Sequence, residues 1–308
     1  MSIKISTAPC CWGVDDPKNP HLPPWERVLA EAANAGYKGI ELGPYGYLPL
    51  DTLTLSKALN KHDIQIVAGT IFDNLVDAKN LDNLLQQARD ICTLITQLPA
   101  LPVDPKKTQA PPYLVIIDWG HSERDQCSGH PDIAPRLAPQ LWQQMMAHIR
   151  QIAQVAWQEF DIRTVIHPHA GGYIEYADEI RQLAVDIPHS IAGLCLDTGH
   201  LYYSKMDPVT WLEEFSARLD YVHFKDIDLD KYQQAMEAKL AFFDAVATGV
   251  MCPIGKGVLN YQAIRSVLEK INYRGYITIE QERDPRDVDT SLQDVTDSLH
   301  FLHSVGFN

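Results

Sequence analysis

The sequence predicts an α/β fold, a (β/α)8 TIM barrel, and three observations support this prediction. The apolar residues switch about eight times between a strand-like and a helix-like period along the chain. The strand-like segments are short and mostly apolar, as parallel strands buried on both faces are. The length of 308 residues suits one barrel with a few long loops, so we expect a single domain over 1–308.

Eight segments carry the strand pattern. In chain order they cover 4–8, 39–43, 64–68, 113–117, 163–166, 191–196, 221–224 and 276–279. The fourth segment is apolar throughout, which is typical of a buried parallel strand. The fifth, sixth and eighth segments end directly before His167, Asp197 and Glu280.

The segments between the strands carry the helical period. The predicted helices cover 24–35, 53–62, 77–98, 137–152, 176–185, 208–218, 232–246, 261–271 and 291–303. Gly36 ends the first helix, because glycine readily adopts the left-handed conformation found there. The helix over 232–246 and a loop over 249–257 form a long excursion, and the helix at about 291–303 ends the chain.

The main rival fold is a doubly wound open sheet with a nucleotide site. Such a sheet carries G-x-G-x-x-G after its first strand, and a P-loop carries G-x-x-x-x-G-K-[ST]. Neither pattern occurs in the sequence, and Gly255-Lys256-Gly257 lacks the required spacing. The sequence therefore gives no sign of a nucleotide site, and it assigns no role to Lys256.

The charge balance argues against several classes of partner. The chain has 26 Lys and Arg against 40 Asp and Glu, a net charge of −14. Nucleic acids and anionic membranes need a basic face, so we expect neither as a partner. No apolar run reaches the roughly 18 residues that span a bilayer. The six cysteines are scattered without a CxxC pair, which favours free thiols and a cytoplasmic location.

Polar residues follow the predicted strands, where a barrel places its catalytic groups. They are Glu41, Asp118, His121, His167, His169, Asp197, His200, His223, Lys225, Asp226, Glu280 and Glu282. His167, Asp197, His223 and Glu280 follow four consecutive strands and predict one divalent metal ion. Imidazole and carboxylate ligands suit Mn, Co, Zn or Mg, and we favour Mn or Co.

Each of these residues also has a purely structural interpretation. Asp197 can cap the helix after its strand, and Glu41 can form an ion pair at the barrel rim. Trp12 and Trp119 can simply pack the barrel mouth. The placement of the four candidate ligands on successive strands favours the functional interpretation over the separate structural ones.

Several motifs resemble one known family over about residues 5–284. They are Gly39-Ile40-Glu41-Leu42-Gly43, His167-Pro168-His169, Leu196-Asp197-Thr198-Gly199-His200, Val222-His223-Phe224-Lys225-Asp226, Pro253-Ile254-Gly255-Lys256-Gly257 and Glu280-Gln281-Glu282-Arg283-Asp284-Pro285. Together they resemble the xylose-isomerase-like TIM barrels, the sugar phosphate isomerase/epimerase superfamily. Within it, the chain is most similar to the inosose dehydratases of inositol catabolism.

The resemblance implies that a metal is held by Asp197, His223, Glu280 and a fourth residue on the fifth strand. That fourth residue is usually Glu in the epimerases, whereas this chain has His167. Two-base epimerisation is therefore disfavoured, and the inosose dehydratases also carry a His in this region. Lys256 stands where the family pattern Gly-Glu-Gly has an acid.

The expected reaction is dehydration of a 2-keto cyclitol of the inosose type through a metal-stabilised enediolate. Glu280, or a histidine such as His200 or His169, is the candidate base, and Lys225 is expected to stabilise the oxyanion or assist the leaving hydroxyl. The small polyhydroxylated substrate is expected to contact Glu41, His121, His169, Trp12 and Trp119. The sequence allows a homo-oligomer.

Three other functions stay open at this point. A sugar isomerase or epimerase acting on a ketose shares the first half-reaction and is the main alternative. An abasic-site endonuclease has a related barrel but needs more metals and a basic DNA face, which the net charge disfavours. A sugar-binding barrel without chemistry is disfavoured by the intact set Asp197, His223 and Glu280.

Overall fold

The computed structural model describes residues 3–102, 104–107 and 109–307, and it confirms the predicted fold class. Its strands are β1 (Ile3–Thr7), β2 (Gly39–Glu41), β3 (Gln65–Asp73), β4 (Tyr113–Asp118), β5 (Arg163–Ile166), β6 (Gly193–Asp197), β7 (Leu219–Phe224), β8 (Asp226–Ile227), β9 (Met251–Cys252) and β10 (Gly275–Ile279). Strands β1 to β7 and β10 form a closed parallel barrel in chain order, since β10 pairs with both β7 and β1. The rival open sheet is therefore excluded.

Helices alternate with the barrel strands. They are α1 (Trp25–Ala35), α2 (Thr52–His62), α3 (Leu81–Thr96), α4 (Ser122–Asp125), α5 (Pro139–Phe160), α6 (Ala177–Asp186), α7 (Thr198–Tyr203), α8 (Pro208–Glu214), α9 (Leu229–Ala238), α10 (Phe242–Ala247), α11 (Tyr261–Lys270) and α12 (Ser291–Ser304). Short 3-10 helices cover Pro9–Trp12, Ala78–Asn80, Ser216–Arg218 and Pro285–Thr290. Within the described ranges, no helix has the length and apolar character needed to cross a membrane.

The predicted helix over 232–246 is wrong, because the structure divides it into α9 and α10. Lys239 ends α9 in the left-handed conformation, with φ of 50°. Ala235 on α9 and Phe242 on α10 nevertheless pack into the same apolar cluster. The apolar period therefore continues from α9 into α10, so the sequence pattern does not indicate where the helix is interrupted.

Other elements also differ from the prediction. The helix predicted over 208–218 ends at Glu214 and is followed by a 3-10 turn. Strand β9 lies in the segment predicted as a loop and pairs antiparallel with β8. The short helix α7 begins directly after β6, where its first residues follow the candidate ligand Asp197.

The core lies in two layers, and this arrangement determines where the polar residues meet. One layer joins the outer faces of the strands to the surrounding helices. The other fills the barrel interior with residues such as Val67, Val115, Val165 and Tyr221. Because every barrel strand runs in the same direction, the polar residues that end the strands converge at one mouth of the barrel.

Candidate metal centre and its cavity

Four strand ends bring His167, Asp197, His223 and Glu280 together. Each offers a nitrogen or carboxylate oxygen, and these ligand atoms lie within 4.8 Å of one another. The main chain fixes the group: Asp197 pairs with His223 across β6 and β7, and the Glu280 amide donates to the carbonyl of Phe224 at 2.9 Å. The first three residues are buried, and the Glu280 side chain is 13% exposed.

The unpaired atoms of this group fit a divalent cation. Both ring nitrogens of His167 and Nδ1 of His223 are buried without a hydrogen-bond partner among the described residues. Nδ1 of His223 lies 3.0 Å from a Glu280 oxygen, and Nε2 of His167 lies 3.7 Å from Oδ2 of Asp197. Buried polar atoms are rarely left unpaired. Imidazole lone pairs that converge with carboxylates match the ligand preference of Mn, Co and Zn.

Glu41 holds His223 from behind. Nε2 of His223 donates to Oε1 of Glu41 at 2.8 Å, and the Tyr221 hydroxyl donates to the same oxygen at 2.8 Å. The proton on Nε2 leaves the lone pair on Nδ1, the nitrogen that faces Glu280 and Asp197. Glu41, predicted to contact substrate, lines the inner cavity, and its hydrogen bond from His223 orients a candidate ligand.

Asp197 caps the helix after its strand with one carboxylate oxygen and faces the candidate metal site with the other. Its Oδ1 accepts from the amides of Gly199 at 2.8 Å and His200 at 2.9 Å, which caps α7. Its Oδ2 faces Lys225 and His167. Burial alone raises the pKa of Asp197, but the charge of Lys225, together with the adjacent His200 and His167, outweighs it and holds this pKa well below its usual range.

Lys225 is buried among three carboxylates. Its Nζ donates to Asp197 at 2.7 Å, lies 3.1 Å from Glu282 and also bonds to Glu280. Burial opposes the ammonium charge, but Asp197, Glu280 and Glu282 outweigh it and raise the pKa of Lys225 well above its usual value. The lysine therefore keeps its proton and offsets the acidic charge of the site.

A second group, formed by His169, His200 and Glu282, lies beside the first, with ligand atoms within 4.8 Å of one another. The peptide group of Ala170 fixes the two histidines in opposite tautomers. The Ala170 amide donates to Nδ1 of His200 at 3.2 Å, so neutral His200 carries its proton on Nε2. The Ala170 carbonyl accepts from Nδ1 of His169 at 2.8 Å, so the free lone pair of His169 is on Nε2.

Nε2 of neutral His200 carries a proton and lies 3.5 Å from Glu282 without a hydrogen bond to it. This proton disfavours the second group as a cation site. Burial is the main cause that lowers the pKa of His169 and of His200 well below the usual value. Both rings are therefore neutral near pH 7. At Nε2, His169 has a lone pair and His200 has a proton.

Two connected cavities lead to the site. An outer cavity of about 730 Å³ opens the barrel mouth, and an inner one of about 100 Å³ reaches His167, His169, Glu41 and Glu280. Trp119 lines the outer cavity and stacks on Phe72 with ring centroids 5.1 Å apart. Of the residues predicted to contact substrate, His169 lines the inner cavity and Trp119 the outer one.

Two residues predicted to contact substrate are placed elsewhere. Trp12 has 0% exposure, and its indole N–H donates to Glu31 on α1 at 2.7 Å, so it packs between the barrel and that helix. His121 is hydrogen-bonded to Asp118 at 2.9 Å and packs edge-on against Tyr173. Neither residue lines either of the two cavities.

Sequence reasoning missed the five residues that line both cavities, among them Phe243 and Asp15. Phe243 lies on α10, where the apolar period gives no sign that one aromatic ring leaves the core. Asp15 follows β1 in a polar loop, among neighbours of the same character. A carboxylate after the first strand is the one signal that could have indicated Asp15.

Comparison with known proteins gives one family and several relatives. The family model described as xylose isomerase-like TIM barrel matches residues 29–304. The rhizopine catabolism protein MocC of Rhizobium meliloti is 30% identical over 288 residues, covering 92% of this chain and 83% of that protein. An inosose dehydratase of Clostridium tetani is 27% identical over 287 residues, covering 92% and 91%. The crystal structure of the IOLI protein, which has a bound zinc atom, superposes with a TM-score of 0.72 at 12% identity and covers 99% of both chains.

Proposed function

The chain belongs to the xylose isomerase-like TIM barrel family, and from this premise we propose that it is a metal-dependent hydro-lyase that removes water from a 2-keto cyclitol of the inosose type. The observation that carries the proposal is the free Nε2 lone pair of His169, which lines the inner cavity beside the four candidate ligands. The extensive similarity to proteins named inosose dehydratase supports the choice of substrate class.

We assign one divalent ion, with Mn or Co favoured over Zn or Mg, to His167, Asp197, His223 and Glu280. When bound, such an ion supplies Lewis acidity toward a ketone and its neighbouring hydroxyl, which makes the C–H bond between them more acidic. The convergent, unpaired nitrogens of His167 and His223 support this assignment.

His169 is the base that takes the carbon-bound proton. A base needs a free lone pair facing the substrate, and His169 has one at Nε2. Glu280 is less suited, because it is a candidate metal ligand and bonds to Lys225. Burial raises the pKa of Glu280, but His223 and the ammonium of Lys225 outweigh it and lower this pKa below the usual value. His200 is excluded as the base because its Nε2 carries the proton.

Lys225 and His200 stabilise negative charge from behind the wall of the inner cavity, which neither residue lines. Preorganised donors stabilise negative charge on an oxygen as it develops, and they need no reorganisation at the moment of reaction. Lys225 provides a fixed positive charge, because Asp197 and Glu282 hold its proton in place. His200 provides a neutral N–H that the Ala170 amide keeps on Nε2.

The main alternative, a sugar isomerase or epimerase, would return the proton to a second carbon or to the opposite face. It needs a second base beside the substrate. His167 stands where the related epimerases have a glutamate, and the extra carboxylate of Glu282 is paired with Lys225. No observation in the site favours this alternative over dehydration.

We further propose a cytoplasmic enzyme with a small polyhydroxylated substrate. The six cysteines carry free thiols, which suits a reducing compartment. The stacked rings of Phe72 and Trp119 offer an apolar wall for the C–H bonds of a cyclitol ring, and the polar groups of the inner cavity suit its hydroxyls.

The test is to incubate metal-loaded enzyme with inosose and, separately, with ketohexoses and ketopentoses. The proposal predicts a 1,2-dicarbonyl product from inosose that absorbs in the near ultraviolet, with no interconversion of the sugars. The matched variant His169→Gln should retain the metal and lose dehydration by about 10²- to 10⁴-fold. Rapid ketose epimerisation or aldose–ketose exchange, without loss of water from any substrate, would overturn the proposal.

A further inference from the structure

Asp15 stands at the junction of the two cavities. Five residues line both the outer and the inner cavity, and Asp15 alone among them has an ionisable side chain; the others are Pro44, Thr70, Phe72 and Phe243. A substrate bound across the two cavities would therefore lie beside this carboxyl group.

The loop that carries Asp15 is fixed from both sides. The Val14 amide donates to the carbonyl of Pro9 at 3.3 Å, and the Val14 side chain is buried. Gly13 has φ of 75° and touches Pro285 so closely that a Cβ would lie 2.4 Å from the Pro285 Cα. This contact joins the Asp15 loop to the segment that follows β10 and Glu280.

The Asp15 carboxyl has a different environment from the other acids of the site. No hydrogen bond or ion pair ties it to another described residue, whereas its neighbour Asp16 accepts from the Lys18 amide at 2.9 Å. Burial is the main cause that raises the pKa of Asp15 well above its usual value, and the charges of Glu282 and Glu280 raise it further against the opposing charge of Lys225. The raised pKa favours the protonated form of Asp15, and no hydrogen bond to another described residue ties up this carboxyl group.

The other proton donors of the site are less able to release a proton. Three carboxylates stabilise the ammonium form of Lys225. His200 carries its proton on Nε2 but does not line the inner cavity. An elimination of water nevertheless needs an acid, because hydroxide is a poor leaving group.

We propose that Asp15 is a catalytic residue, the general acid that protonates the departing hydroxyl; this rests on the proposed dehydratase function. His169 first takes the proton from the carbon beside the ketone, which leaves an enediolate. The C–O bond to the next carbon then breaks, and the enediolate electron pair forms the new C=C bond. The proton on Asp15 passes to the leaving oxygen and completes a water molecule.

The product of this step is the enol of a 1,2-diketone, and no oxidant or reductant is needed. Asp15 is left as a carboxylate, and His169 holds the proton it took. Exchange with solvent returns both groups to their starting states. The barrel topology suits this division of roles, because the loops after β1 and β5 leave strands on opposite sides of the ring and both reach the inner cavity.

The test separates the two halves of the reaction. Wild type, Asp15→Asn and the matched control Asp16→Asn are incubated with inosose in D₂O, after metal content and melting temperature have been measured. Product is followed in the near ultraviolet, and deuterium in the recovered substrate is measured by mass spectrometry. Asp16 is exposed and bonded within its own turn, so its variant removes a charge from the same loop.

We expect Asp15→Asn to lose dehydration by about 10²- to 10⁴-fold while it still incorporates deuterium into substrate. Asp15→Glu should recover part of the dehydration, because it restores a protonated acid. Asp16→Asn should behave as wild type in both assays.

Two results would overturn the acid role: unchanged dehydration by Asp15→Asn, or loss of deuterium exchange together with dehydration in a folded, metal-loaded variant. If wild type itself neither dehydrates nor exchanges inosose, the proposed function fails, and that failure appears before any variant is compared. Metal content and melting temperature show whether a variant has lost its fold instead.

Discussion

Removing the charge of Glu41 should weaken metal binding although Glu41 is not one of the proposed ligands. Oε1 of Glu41 accepts from Nε2 of His223 and so places the free lone pair on Nδ1, facing Glu280 and Asp197. A carboxylate in this position also makes the imidazole a better donor to a cation. The substitutions Glu41→Gln and Glu41→Ala separate these two contributions.

The structure predicts that Glu41→Ala weakens metal binding more than Glu41→Gln does. A glutamine can still accept from His223 through its amide oxygen, so Glu41→Gln loses the charge and keeps the ring orientation. Glu41→Ala loses both and also frees the Tyr221 hydroxyl that shares Oε1. Partners behind a ligating histidine are worth about 10- to 100-fold in metal affinity. We therefore expect about 10-fold weaker binding for Gln and about 100-fold for Ala, or about 1.4 and 2.7 kcal/mol.

The assay is competition between the enzyme and a chromophoric chelator for Mn or Co at fixed pH. Tyr221→Phe is the matched control, because it removes the other donor to Glu41 and leaves the bond from His223 in place. Its affinity should match wild type. Wild-type affinity in Glu41→Ala, or an equal loss in Tyr221→Phe and Glu41→Gln, would refute this account of how His223 is oriented.

Three further predictions concern single residues. Glu280→Gln should lose most of the bound metal in elemental analysis, because an anionic ligand is replaced by a neutral one; full metal and full activity would remove Glu280 from the ligand set. His167→Glu should keep the metal but lose dehydration, and deuterium exchange at a second carbon is the measurement that would reveal a gained base. Burial raises the pKa of Glu175 to about 7, although the hydrogen bonds that it accepts from the amides of Gly129 and Gly171 lower this pKa. Between about pH 4.5 and 7 the folded protein therefore keeps a proton on Glu175 that the unfolded chain has released. Between pH 5 and 7, stability in urea should thus fall more steeply in wild type than in Glu175→Gln, by at most about 1.4 kcal/mol per pH unit; equal slopes in the two proteins would contradict the assignment.

The eight strands and the four strand-end residues could be predicted because both leave a local signal. A buried parallel strand is a short apolar run, and the residue after it in a barrel faces the mouth. His167 follows β5, and Glu280 follows β10, within a residue of the predicted strand ends. Because all barrel strands are parallel, these strand-end side chains meet at the same mouth of the barrel.

The partners of those residues could not be predicted, because they depend on long-range contacts and on single backbone groups. Glu41 meets His223 across 182 positions of sequence. The tautomers of His169 and His200 depend on the peptide group of Ala170, whose side chain carries no chemical signal. The sequence predicts Trp12 in the pocket wall, but the carboxylate of Glu31 holds it behind the barrel.

The central claim is that one divalent ion is held by His167, Asp197, His223 and Glu280. The direct measurement is an anomalous difference map from crystals of the protein grown with Mn²⁺, collected with elemental analysis of the same preparation. We predict one strong peak among these four side chains and about one ion per chain. A peak at His169, His200 and Glu282 alone, or no peak in metal-loaded crystals, would contradict the account.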